Sequence, residues 1–158
     1  MAGAITPFLW FDGQAEDAAN FYVEVFGDGE ITDVVRYPEG APGPTGSVMT
    51  MAFRLRNQHF TALNGGPQHR FSPATSFVIE CGSQDEVDHF WERLSEGGEP
   101  SMCGWLTDKF GVTWQVVPDR LLELMRHEDP AAAQRVVQAM LTMQKIEIAP
   151  LEAAAAES

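Results

Sequence analysis

Two cysteines in 158 residues leave this chain without a disulfide framework. Cys81 and Cys103 stand apart, with no C-x-x-C spacing, so neither a dithiol redox motif nor a structural zinc knuckle can be read. Both are expected to be small core residues in a reducing compartment. Positive charge is scarce too. Ten Lys and Arg against 23 Asp and Glu give a formal charge of −13, with no basic patch to offset it, so neither nucleic acid nor an anionic membrane surface is an expected partner. No apolar run is long enough to span a bilayer. The opening MAGAITPFLWFDG has no charged n-region and no cleavage site, so no secretory leader is expected, and a cytoplasmic location is. The four histidines (His59, His69, His89 and His127) show no H-x-x-x-H or other paired metal spacing, and each is expected at the surface or at a cap. Hydrophobic content of 44% with 21% charged residues describes one globular domain.

The domain is written twice. Ile5 to Phe11 reads as a strand, broken at Asp12-Gly13. Ala15 to Phe26 reads as a helix with Ala18, Phe21, Tyr22 and Val25 on its core face. Thr75 to Cys81 then reads as a strand broken at Gly82. Ser83 and Glu86 form a capping box, and a helix follows with Val87, Phe90, Trp91 and Leu94 facing the core. The pairs Phe8/Phe77, Gly13/Gly82, Phe21/Phe90 and Tyr22/Trp91 all differ by 69, which predicts a gapless internal duplication. Three strand-like runs follow each helix: Glu30 to Tyr37, Ser47 to Leu55 and His59 to Asn64, then Pro100 to Gly104, Trp105 to Asp108 and Val112 to Val117. The first set is longer by the Pro/Gly loop Pro38 to Gly46, which reads either as a lid or as a plain connection.

Cys103 to Pro118, CGWLTDKFGVTWQVVP, reads as a hairpin whose second strand sets Val112, Trp114 and Val116 on one face and Thr113, Gln115 and Val117 on the other. Asp108 and Lys109 are expected to form its solvated turn. Two βαβββ copies need each other to bury their apolar faces. The expected fold is therefore α+β: residues 1–70 as the first module, 71–118 as the second, and mixed sheets curled around a cavity. Residues 119–158 form a C-terminal helical extension. Its apolar stripes (Leu121, Leu122, Leu124 and Met125, then Ala133, Val136, Val137, Met140 and Leu141) suit packing either in cis or on a second subunit. The Ala-rich end is expected to fray.

A duplicated βαβββ unit with FY in its first helix resembles the vicinal oxygen chelate superfamily, which includes glyoxalase I and the bleomycin and fosfomycin resistance proteins. Within it the chain is similar to the PhnB-like group, also called 3-demethylubiquinone 3-methyltransferase-like. The match is carried by FLWFDGQAEDAANFY (Phe8 to Tyr22), FTALNGGP (Phe60 to Pro67), CGWLTDKFGVTWQVVP and AMLTMQKIEI (Ala139 to Ile148), nearly the length of the chain.

The resemblance implies a homodimer and a cavity in which metal-dependent members hold a divalent ion with His or Glu at four matching strand positions. Those positions fall at Pro7, Leu63, Ser76 and Gln115, which suit neither hard nor borderline metals, so no metal site and no cofactor are expected. No Gly-rich methyl-donor loop between a strand and a helix can be read either. The expected function is therefore binding of a small organic molecule in an apolar cavity lined by Trp10, Thr61, Leu63, Ser76, Trp105, Thr113 and Gln115. The alternatives are a metal-dependent enzyme of glyoxalase or dioxygenase type, or the methyltransferase of the family name. No catalytic residue is assigned.

Overall fold

A computed structural model describes residues 3–157. Met1, Ala2 and Ser158, the outer ends of the predicted first module and extension, lie outside the described residues. The chain forms two compact units that divide between Phe71 and Ser72.

The first unit runs β1 (Phe8–Phe11), α1 (Ala15–Phe26), β2 (Glu30–Arg36), β3 (Val48–Leu55) and β4 (Gln58–Asn64), with strand order β1-β4-β3-β2. β1 lies parallel to β4, and the other pairs are antiparallel. The second unit repeats the plan with β5 (Phe77–Cys81), α2 (Gln84–Ser95), β6 (Glu99–Pro100), β7 (Trp105–Thr107) and β8 (Thr113–Pro118) in the order β5-β8-β7-β6. Here too the first and last strands are parallel. The fold is α+β with two four-stranded mixed sheets. The strands are shorter than the sequence suggests at their starts, because Ile5 is open to solvent and Thr75 is drawn into a turn by its N–H bond to the Ser72 carbonyl.

α1 packs on β3 and β4 through Ala15, Ala18, Ala19, Tyr22 and Val25. The fully buried alanines let the helix approach the sheet closely, while Phe21, expected in the core, is half-exposed. Tyr22, Phe53 and Phe60 continue the contact, with the two Phe rings stacked at 5.3 Å. In α2 the buried face is Val87, Phe90 and Leu94, with Trp91 half-exposed. Ser83 caps it by accepting from Glu86 N–H, and Glu86 accepts from Gly82 N–H.

The two copies are not related by one gapless offset. Ala15 and Gln84, which begin the helices, are 69 residues apart. Phe11 and Cys81, which end the first strands, are 70 apart. The first copy has three residues between strand and helix, Asp12-Gly13-Gln14, and the second has two, Gly82-Ser83. Buried Leu9 and Phe11 thus match buried Ile79 and Cys81, whereas the 69 spacing would set buried positions on exposed ones.

Asp108 is not a solvated turn residue. It is 3% exposed, and one carboxylate oxygen accepts from Phe110 N–H (2.8 Å) and Val112 N–H (3.1 Å). The other accepts from the Trp114 indole N–H at 2.8 Å. A short connection between β7 and β8 leaves its N–H groups pointing inward, and the carboxylate satisfies them. Lys109 takes the exposed position, its ammonium 5.5 Å from the Phe110 ring centre.

Beyond β8 lie α3 (Asp119–Met125), α4 (Pro130–Met140) and α5 (Ile148–Ala156). Their apolar stripes pack in cis. Leu121, Leu124, Val136, Ile146 and Leu151 form one buried cluster, with Val117 of β8 against it. Leu122, Met125 and Leu141 remain exposed. The Ala-rich end is helical rather than frayed: Arg135 donates to the carbonyls of Ala154, Ala155 and Glu157, orphan acceptors at a helix C-terminus.

Gln84 ties the segment before α5 to α2. Its amide donates to Asp88 and to the Ile146 carbonyl, and its oxygen accepts from Ile148 N–H. Gln84, Asp88, Lys145 and Glu147 line a cleft of about 260 Å³ there. The Gln84 hydrogen bond, then the bond and charge of Lys145 at 2.9 Å, hold the Asp88 carboxyl below its ordinary range. Such a group stabilises the fold above its unfolded pKa and loses that contribution as pH falls through the lowered one.

Cys103 and Gly104 form the turn before β7, both with positive φ (60° and 84°), as the centre of a type I′ turn requires. Their N–H groups donate to the Met143 and Gln144 carbonyls, so the CGW stretch docks directly on the MQKI stretch. A Cβ on Gly104 would come within 2.8 Å of the Val116 carbonyl oxygen. Cys81 is buried as expected, but this turn leaves Cys103 only partly so.

Asp108→Ala should cost on the order of 3–5 kcal/mol, because it leaves three donors unpaired, two of them buried. Asp108→Asn should lose less while releasing the Trp114 indole, since an amide cannot accept at both ends. Denaturant unfolding with the indole N–H resonance of Trp114 checks both.

Candidate functional site

In the first unit the parallel register pairs Phe8 with Thr61 and Trp10 with Leu63, so these four side chains share one face of the sheet. Leu9, Phe11 and Ala62 fill the opposite, buried face. Phe8 is 60% exposed, and Trp10, Thr61 and Leu63 are half-buried. Trp10 is fixed from the loop after β4. Its indole N–H donates to the Gly66 carbonyl at 2.9 Å, its ring lies so close to Gly65 that any Cβ there would run into it, and His69 meets it edge-on at 4.8 Å.

Asn64, beside Trp10 and Leu63, is a structural tie that sequence reasoning missed. Its side-chain oxygen accepts from Ala15 N–H and caps α1, whose own N-cap residue Gln14 makes no such bond. Its amide donates to the Val48 carbonyl, and its own carbonyl accepts from the Tyr37 hydroxyl. An Asn at a strand end before Gly-Gly signals a turn, and nothing local reveals a cap 49 residues away.

The second unit brings together Ser76, Trp105, Thr113 and Gln115. Register sets Trp105 opposite Gln115, and Phe77 opposite Trp114, so Ser76 stands level with Thr113. Gln115 donates to the Ser76 hydroxyl at 2.9 Å. Val78, paired with Gln115, is 54% exposed on the same face. Thr113 is 3% exposed, although its neighbours Val112 and Trp114 belong to the buried side.

The corrected spacing moves the internal equivalents of these residues. Seventy residues before Ser76 is Thr6 rather than Pro7. Val78 and Phe8 are equivalent, and they pair with Gln115 and Thr61, so Thr61 rather than Leu63 matches Gln115. Alternation also puts Pro7 with Leu9 and Phe11, away from the face of Leu63. Either alignment offers only neutral oxygens or none. Among the described residues no three His, Cys, Asp or Glu side chains gather where a metal could be held. His69 packs on Trp10, His89 lies against Phe90, and His127 accepts from Asp129 N–H. No helix among the described residues is long and apolar enough to cross a membrane.

Residues 3–117 match the family described as 3-demethylubiquinone-9 3-methyltransferase. No protein with a curated description matches the chain. Among solved structures, the PhnB protein of Bacillus cereus, described as a candidate 3-demethylubiquinone-9 3-methyltransferase, is 35% identical with a TM-score of 0.67, covering 73% of this chain and 99% of its own. Protein PA1353 from Pseudomonas aeruginosa is 22% identical with a TM-score of 0.62, covering 74% and 98%. The fosfomycin resistance protein FosX from Listeria monocytogenes is 13% identical with a TM-score of 0.52, covering 75% and 93%, a likeness of fold alone. With its family matched from residue 3 to residue 117 and its two βαβββ copies built on the plan of these neighbours, the chain belongs to the PhnB-like, 3-demethylubiquinone-9 3-methyltransferase-like family.

Proposed function

We propose that this protein binds a small, partly aromatic organic molecule on the sheet faces that carry Trp10, Thr61, Leu63, Ser76, Trp105, Thr113 and Gln115, and does so without the metal tetrad of its superfamily. The observation that carries the reading is the Gln115–Ser76 hydrogen bond. Two positions where a metal-dependent member would place charged or imidazole donors hold neutral side chains already bonded to each other, and their counterparts in the first copy add no charge. Divalent ions need carboxylate, imidazole or thiolate donors to repay dehydration. The exposed Phe8 and Val78 support the same reading, since large apolar side chains open to solvent on a half-polar strand face mark a surface that takes an apolar partner.

The glyoxalase or dioxygenase alternative needs ligands that these positions lack. The methyltransferase alternative needs a glycine loop free to cradle a donor. In Asn64-Gly65-Gly66 the Asn caps α1, Gly65 makes room for the Trp10 ring, and the Gly66 carbonyl accepts from its indole. These glycines already have a structural use. Homodimerisation, implied by the superfamily, is part of the proposal, and the exposed Leu122, Met125 and Leu141 are apolar surface it could cover.

Protein purified without an affinity tag should carry sub-stoichiometric metal before and after exposure to Zn, Ni, Mn and Fe(II), and should give no calorimetric heat with S-adenosylmethionine. One metal per chain would overturn the metal-free reading, and saturable heat would restore the methyltransferase. Sedimentation should give a dimer; a monomer at all concentrations would remove that part of the proposal. Gly65→Ala should destabilise the protein by about 1–3 kcal/mol through overpacking and shift the Trp10 indole resonance.

A further inference from the structure

Two buried side-chain oxygens among the described residues have no hydrogen-bond partner, Ser95 Oγ and Thr113 Oγ1. Ser95 ends α2, off the strands that carry the candidate site residues. Thr113 stands level with Ser76 across the parallel ladder, two residues from Gln115 and on its face. An unpaired buried hydroxyl is costly, and natural folds rarely keep one that nothing ever satisfies. Beside it, Gln115 uses its amide N–H on Ser76, which leaves the Gln115 carboxamide oxygen as an acceptor and the Ser76 hydroxyl proton as a donor.

The side chains next to this group on the same face of the ladder, Val78, Trp105 and Thr107, carry no charge. The Asp108 carboxylate is turned to the opposite face and engaged by three donors. The charges that the ladder sets on this face are carboxylates further out: Glu80, about 13 Å of extended strand from Ser76, and exposed Glu99, level with Thr113 but two strands, about 10 Å, away. An anionic ligand would find carboxylates as the nearest ladder charges, and a cationic one no carboxylate among the adjoining ladder positions, so either would lose hydration without a counter-charge beside it.

We propose that Thr113, Gln115 and Ser76 form the polar end of the ligand site, and that they select an uncharged group that both donates and accepts hydrogen bonds, such as a carboxamide or hydroxyl, over a carboxylate or an ammonium. This rests on the small-molecule reading above and names the ligand class and Thr113 as the residue that reads it.

The test uses three aromatic probes of similar size, benzamide, benzoate and benzylamine, titrated at neutral pH into the full chain and followed by the NMR resonances of the Gln115 side-chain amide. Benzamide should bind at least tenfold more tightly than either charged probe. Thr113→Val, which keeps the shape and removes the hydroxyl, should weaken benzamide at least fivefold while leaving the melting temperature unchanged or raised. Equal or tighter binding of benzoate or benzylamine would overturn the proposal and leave the small-molecule reading standing. So would a Thr113→Val variant that binds benzamide normally, or one that melts lower, since that would mean the hydroxyl is already paired. Failure of all three probes to bind would overturn the small-molecule reading itself, and this proposal with it.

Discussion

Burying a carboxylate is costly unless donors surround it, and the second unit is arranged to surround one. Asp108 sits between β7 and β8 with two backbone N–H groups on one oxygen and the Trp114 indole on the other. Desolvating a lone carboxylate in a protein interior costs several kcal/mol, and charge-assisted bonds from fixed donors are the means of offsetting it. The geometry allows little slack. The indole must point back at the turn, which fixes Trp114 on the buried side of β8 and therefore Thr113 and Gln115 on the other. The candidate polar cluster on the outer face inherits its register from a carboxylate on the inner one.

Much of the architecture was legible because it rests on periodic burial. Both helices occupy the residues their apolar spacing predicts, and the repeat is visible because each copy must bury a helix face and a sheet face in the same order. The misreadings share a physical origin. A three-residue loop and a two-residue loop connect a strand to a helix equally well, so the one-residue difference left the 69 spacing of the helices intact while reversing the faces of the strands before them. Asp108 was read as a turn residue because Asp-Lys-Phe-Gly is turn chemistry; that its carboxylate points inward depends on Trp114, six residues on. The alanines after Leu151 look like a loose end until Arg135, on a different helix, supplies the donors that their carbonyls lack.

The candidate site divides along the same line. Which residues share a strand face was readable from alternation, while the partners they meet across the ladder, Leu63 for Trp10 and Trp105 for Gln115, are set by the register of the folded sheets. What holds those side chains was not. Trp10 is set by two glycines and a histidine that follow β4, and Gln115 by a serine 39 residues away. Long-range hydrogen bonds carry no signature in a single sequence. They decide whether a polar side chain is a structural tie or an available contact.

The extension shows how such ties couple distant stretches. The family match ends at residue 117, yet the 143–146 segment accepts from the N–H groups of Cys103 and Gly104, inside the family's hairpin. Gly104 must lack a side chain for the Val116 carbonyl and Ile146 to approach, and its own carbonyl accepts from Val116 N–H. The extension therefore supports β8 through Gly104, which bonds to Val116 beside Gln115, and directly through Val117, on the face of Gln115. A change at Ile146, or at Gln84, which holds its carbonyl, would reach the Gln115 face of that strand through Val117. In a chain of net charge −13, this arrangement suits a ligand recognised by shape and hydrogen bonds: long-range electrostatics steer no anion towards it, and the sheet face carrying Gln115 holds no buried counter-charge for a cation.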